Sequence, residues 1–159
     1  MIAHPPCTHL SVSGARWFTE GKKPMFLREN ALDFVKKLMA APIDRICIEN
    51  PVSVISSHIR EADQTINPYQ FGHTEYKRTC LWLKNLPLLK ETDNVLEETK
   101  MLPQSISNRI WWLGAGKGKE RSKFYTGIAS AMADQWGDES RLPVPVEQLS
   151  LFKEYATAS

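Results

Sequence analysis

Two residues of this chain carry side chains suited to covalent chemistry, and each sits in a distinctive setting. Cys7 follows two prolines in the run Pro5-Pro6-Cys7-Thr8-His9, and Glu49 opens Glu49-Asn50-Pro51, 42 residues later. A cysteine thiolate forms covalent intermediates with electrophilic carbons. A carboxyl group can donate a proton or neutralise charge that develops on a substrate. Prolines before the thiol force a loop, so Cys7 is placed on a turn rather than inside a strand. His4 and His9 flank that loop, within reach of whatever it binds, but without the spacing of metal ligands.

The elements that must position these residues follow from patterning. Ile2 and the residues after it form an apolar stub that ends at the prolines. Pro24 to Ala41 is predicted to be a helix, with Phe26, Leu27, Leu32, Phe34, Val35, Leu38 and Met39 on its apolar face and Pro42 as its stop. Arg45 to Ile48 reads as a short buried strand with Glu49 and Asn50 at its carboxyl end. A helix followed by a strand with polar residues at its end is an α/β unit, and ligands of open α/β sheets gather at the carboxyl ends of the strands. Pro68 to Lys77 reads as loop. Thr79 to Leu83 reads as a second strand, and Lys90 to Asn108 as a polar surface excursion. The apolar run Ile110 to Leu113 reads as a strand, Thr126 to Trp136 as a helix with Ile128, Ala131, Met132 and Trp136 inward, and Val146 to Tyr155 as a short helix.

Composition narrows the classes. The chain has 159 residues, enough for one domain with a core of its own. Its 20 basic and 18 acidic residues give a net charge of +2, so any nucleic-acid surface must come from local clustering. The densest basic cluster is Lys117, Lys119, Arg121 and Lys123, which suits phosphate contact and equally suits a solvated face. Three unpaired cysteines point away from a disulfide framework and towards a cytoplasmic setting. No zinc-ligand spacing, signal peptide, membrane span or repeat is present in the sequence.

The run from Pro5-Pro6-Cys7 through Leu10-Ser11, Ser13-Gly14 and Arg16 resembles the catalytic loop of the DNA cytosine-5 methyltransferases, and Ile48-Glu49-Asn50-Pro51 resembles that family's Glu-Asn-Val motif at a strand end. The spacing leaves room for one helix and one strand between them, as in the family. Gln70-Phe71-Gly72-His73 with Lys77-Arg78 before a strand resembles a stretch of phage- and prophage-encoded members, and Arg121 to Ala133 resembles the closing motif, where a glycine opens a small-residue helix beside the donor pocket.

The resemblance implies an α/β, partial Rossmann-like (class I methyltransferase-type) sheet over residues 1–137, with 86–109 as a surface excursion in place of a target-recognition region and 138–159 as a tail. It implies Cys7 as nucleophile on carbon 6 of a flipped cytosine, Glu49 at ring nitrogen 3, and Lys77 and Arg78 assisting. S-adenosylmethionine would be the methyl donor, with Pro5, Pro6, Gly127 and Ile128 beside it. Ser11, Ser13, Arg16, Asn50, Lys117, Lys119, Arg121 and Lys123 would face DNA. No metal is implied. In the family a strand and a Phe-x-Gly-x-Gly-type loop bind the donor ahead of the Pro-Cys motif. With six residues before Cys7, the reading is of an N-terminally short chain that dimerises or is completed by a partner. Gly114 to Gly118 is a basic loop near phosphates or a plain surface turn, in preference to a replacement cofactor cradle. Two other functions stay open: a non-enzymatic DNA- or protein-binding remnant, such as a phage factor acting on host restriction-modification, and another base-modifying transferase using the same thiol and carboxyl.

Overall fold

A computed structural model describes residues 1–113, 117–138, 140 and 142. The chain opens on strand β1 (Ile2–Ala3), turns through 3-10 turns at Cys7–His9 and Val12–Gly14, and makes a short helix α1 (Arg16–Thr19). Helix α2 (Met25–Met39) leads into strand β2 (Ile46–Pro51). Helix α3 (Ile55–His58), strand β3 (Gln64–Ile66) and strand β4 (Thr79–Lys84) follow. Three short helices, α4 (Leu96–Met101), α5 (Gln104–Ser107) and α6 (Arg109–Trp112), come before α7 (Gly118–Arg121) and α8 (Thr126–Trp136).

The four strands form one mixed sheet in the order β1-β2-β4-β3. β1 runs parallel to β2, as a helical crossover requires, with Ala3 opposite Ile48. β4 runs antiparallel to β2, with Ile48 opposite Trp82 and Glu49 opposite Leu81, and β3 pairs antiparallel with β4. The alternation of side chains across β2 and β4 divides the core in two. Ile46, Ile48, Cys80 and Trp82 point to the face covered by Leu32 and Val35 of α2 and Ile55 of α3. Cys47 and Leu81 point to the opposite face, covered by Ile128, Ala131, Met132 and Trp136 of α8. The result is a sheet buried on both faces between helices, a mixed α/β arrangement.

Both long helices and both central strands fall where patterning puts them, and α8 keeps its predicted inward residues. Three expectations change. Ile110 to Leu113 does not form a strand: it lies in and just after α6, and a four-residue apolar run has no periodicity to tell the two apart. β2 does not stop at Ile48 but runs on through Glu49 and Asn50 to Pro51, while the surface excursion 90–108 carries the short helices α4 and α5. On α2 the buried stripe runs through Arg28, Leu32 and Val35, while Phe26 and Phe34 face solvent. Arg28 takes an inward position because its guanidinium lies 4.0 Å above the Phe18 ring, a cation–π contact that shields the charge. Gly114 to Gly116 and the predicted helix near 146–155 lie outside the described residues.

Gly127 opens α8 against the loop before β4. A β-carbon there would run into the Phe71 carbonyl oxygen, and the Gly127 N–H donates to His73 Nε2 at 3.0 Å. The glycine is thus required by close backbone approach.

Candidate active site

The Pro-Pro-Cys loop leaves the carboxyl end of β1 and is laced onto the segment that leaves β2. Val54 N donates to Leu10 O at 2.9 Å, and Val12 N donates to Val52 O at 3.2 Å. Asn50 Nδ2 donates to the Pro5 carbonyl at 2.8 Å from a position 1 % exposed. These bonds tie the loop carrying the thiol to the strand carrying the carboxylate. Asn50 is therefore a clamp, and it also stands on the wall of the cavity that holds Cys7, where its Oδ1 has no hydrogen-bond partner. Asn50→Ala would leave a buried carbonyl unsatisfied, with an expected cost of about 1–3 kcal/mol. A shift of the urea unfolding midpoint at constant slope measures it.

Cys7 is a free, half-buried thiol. It lines a cavity of about 340 Å³ together with Glu49, His4, Lys77, Arg121 and Phe124. Glu49 is nearly buried, and its Oε2 lies 3.0 Å from His4 Nδ1. The His4 ring in turn meets Phe124 edge-on at 4.7 Å. Lys77 Nζ donates to the Lys123 carbonyl at 3.2 Å and sits 5.3 Å from the centre of the Tyr125 ring. Burial holds the Lys77 ammonium below its ordinary lysine value, against the opposing pull of Glu49 and Cys7. Thiol, carboxyl and ammonium thus share one electrostatic environment.

A second cavity of about 490 Å³ adjoins the first, sharing Pro6, Cys7, Lys77 and Arg121 and adding Ser11, Ser13, Ile110 and Gly118. Another of about 400 Å³, between Met39, Arg60 and Trp82, has no cysteine or carboxylate in its wall. The other two thiols lie inside the core. Burial, together with the Glu49 charge, pushes the Cys47 thiol up to about 12, and burial likewise raises Cys80.

The sequence-predicted residues separate into those that meet here and those that do not. Cys7, Glu49, Lys77, Pro5, Pro6 and Arg121 converge. Ser11 and Ser13 stand on the wider cavity, their hydroxyls 2.9 Å apart. Arg78 is exposed and outside both walls. Arg16 lies 4.6 Å over the Trp17 ring and lines neither wall. Lys117, Lys119 and Lys123 are exposed, with Lys123 paired to Glu120 at 2.9 Å. Gly127 and Ile128 do not join Pro5 and Pro6 around a common space: Gly127 is filled by Phe71 and Ile128 is 1 % exposed in the core. The four residues assigned to a methyl donor therefore do not make a donor site together.

What pattern reading missed is the support around Cys7, Glu49 and Lys77. Glu75 accepts from Arg109 Nε at 3.0 Å and from the Tyr125 hydroxyl at 2.7 Å, fixing α6 and the entry to α8 beside Lys77. Such pairs join residues 34 and 50 positions apart, which no local pattern announces. His4 was visible only as a loop histidine; its partner became identifiable once β1 and β2 were paired in parallel.

Among the described residues, no His, Cys, Asp and Glu side chains converge as metal ligands would, and no helix is long and apolar enough to cross a membrane. Compared with protein-family models, curated proteins and solved structures, the chain matches none.

Proposed function

We propose that this chain is the base-activating part of a DNA cytosine-5 methyltransferase, with a partial Rossmann-like sheet, acting on a cytosine turned out of duplex DNA. The observation that carries the reading is the convergence of Cys7, Glu49 and Lys77 on one cavity at the carboxyl ends of two parallel strands. A helix-linked parallel pair carrying an antiparallel neighbour is compatible with a doubly wound sheet.

The chemistry follows from the groups. The Cys7 thiolate forms a bond to carbon 6 while the electrons of the 5,6 double bond shift into the ring. The Glu49 carboxyl supplies a proton at nitrogen 3, so that no full negative charge builds up on the base. The product is an enamine, nucleophilic at carbon 5. His4 holds one Glu49 oxygen and fixes the carboxyl plane. Lys77 offsets the negative charge of the thiolate before attack and of the carboxylate left on Glu49 once its proton has moved to nitrogen 3. S-adenosylmethionine would supply the methyl group. Since Pro5, Pro6, Gly127 and Ile128 do not enclose it, the donor is assigned to a complementing segment, partner chain or second copy, and no step is derived through it. Ser11, Ser13 and Arg121 line the route along which the DNA strand would lie.

A donor-independent reaction tests this. In the enamine, carbon 5 can take a proton from water and lose its original hydrogen as a proton, after which the thiolate is expelled and the double bond restored. Duplex DNA tritiated at cytosine carbon 5 should therefore release tritium to water in the presence of the protein alone. Glu49→Gln, which keeps the shape and cannot protonate nitrogen 3, should slow release by about 10²–10³-fold. Binding of such DNA without release by the wild-type chain would favour the non-enzymatic remnant instead.

A further inference from the structure

Trp111 and Trp112, on α6, hold their rings in solvent, 82 % and 63 % exposed. Two neighbouring tryptophans this open are uncommon on a surface with no partner, because each leaves a large apolar face in water. They are not on a loose segment. α6 is anchored by Arg109, which grips both oxygens of Glu75 at 3.0 and 3.3 Å. Tyr76 N donates to the Ser107 carbonyl at 2.7 Å just before it. The residue that precedes the pair, Ile110, lines the wider cavity with Cys7, Gly118 and Arg121. Helix α6, which carries the two rings, and the basic helix α7 thus both contribute to the wall of that cavity.

We propose that Trp111 and Trp112 form a stacking platform for unpaired bases of a single DNA strand next to the extruded pyrimidine, with Lys117, Lys119 and Arg121 receiving the phosphates of that strand. This rests on the cytosine reading for the identity of the neighbouring base, but the platform itself is indifferent to sequence, since every base offers a π-face. The charge pattern selects nucleic acid over an apolar peptide: Lys117, Lys119 and Arg121 follow the two tryptophans within ten residues of chain, and the one acidic residue on α7, Glu120, is held by Lys123.

The test uses a short fluorescein-labelled thymidylate oligomer, whose anisotropy reports binding by the full chain. The oligomer contains no cytosine, so its binding is independent of Cys7 chemistry. Trp111→Ala with Trp112→Ala is expected to weaken binding by about tenfold or more, and the Trp→Phe pair to recover most of it. Lys117→Gln, Lys119→Gln and Arg121→Gln should each lower the slope of log affinity against log salt by about 0.7. Both rings are exposed, so the variants should fold. Unchanged binding by the double alanine variant would overturn the proposal. So would a wild-type dimer that the same variant converts to monomer, since the rings would then serve a second copy. Loss of tritium release with thymidylate binding intact would sink the cytosine reading alone.

Discussion

Cys7→Ala should reduce exchange at cytosine carbon 5 to the uncatalysed rate, a loss of about 10⁴-fold or more, because removing a nucleophile removes the covalent route itself. The other thiols cannot replace it. Cys47 is fully buried and held protonated, its thiol pushed up to about 12, and Cys80 is 5 % exposed within the core between α2 and the sheet. Cys7 is only half-buried, so the alanine variant should unfold at nearly the wild-type urea midpoint and should still bind DNA. A variant that loses exchange and keeps both separates chemistry from folding. The contrast with Glu49→Gln is also informative, since that change leaves the nucleophile in place and removes only the relief of charge at nitrogen 3.

Gly127→Ala is expected to destabilise the fold by about 3 kcal/mol, combining an overpacked contact with the Phe71 carbonyl and the loss of the bond from Gly127 N to His73. The urea midpoint should fall with the slope unchanged. α8 also carries Ile128, Ala131, Met132 and Trp136 into one face of the core, so displacing its first turn disturbs that whole layer. Because Phe71 and His73 lead to Lys77 along the same loop, the effect should extend to the position of the ammonium as well.

The thiol and the carboxyl were legible in the sequence because Pro5 and Pro6 force Cys7 onto a turn and the apolar run Ile46 to Ile48 marks the strand that carries Glu49. Helices α2 and α8 were legible from their periodicity. Cooperation across the chain was not. Asn50 reads as a polar residue at a strand end, and only the parallel pairing of β1 with β2 turns it inward to hold Pro5. Ile110 to Leu113 is too short for period to choose helix over strand, and the deciding interaction, Arg109 with Glu75, comes from 34 residues away. Lys77 and Arg78 are indistinguishable by type. The turn into β4 points the first at the cavity and the second at solvent. Phe26 and Phe34 are apolar by type yet face solvent, while Arg28 is charged yet lies inside against the Phe18 ring, a contact that no hydrophobic pattern encodes.

The proposed function depends on a bond from Cys7 to carbon 6 of a cytosine in DNA. A duplex containing 5-azacytosine tests it without any methyl donor: after the thiolate adds at carbon 6, the ring nitrogen at position 5 takes a proton and the adduct persists. Trypsin would then release Cys7 in peptide 1–16, Cys47 in peptide 46–60 and Cys80 in peptide 79–84, so mass spectrometry identifies the modified thiol directly. The nucleotide mass on peptide 1–16 is the result predicted. Protein that binds the duplex and carries no adduct there would contradict the account.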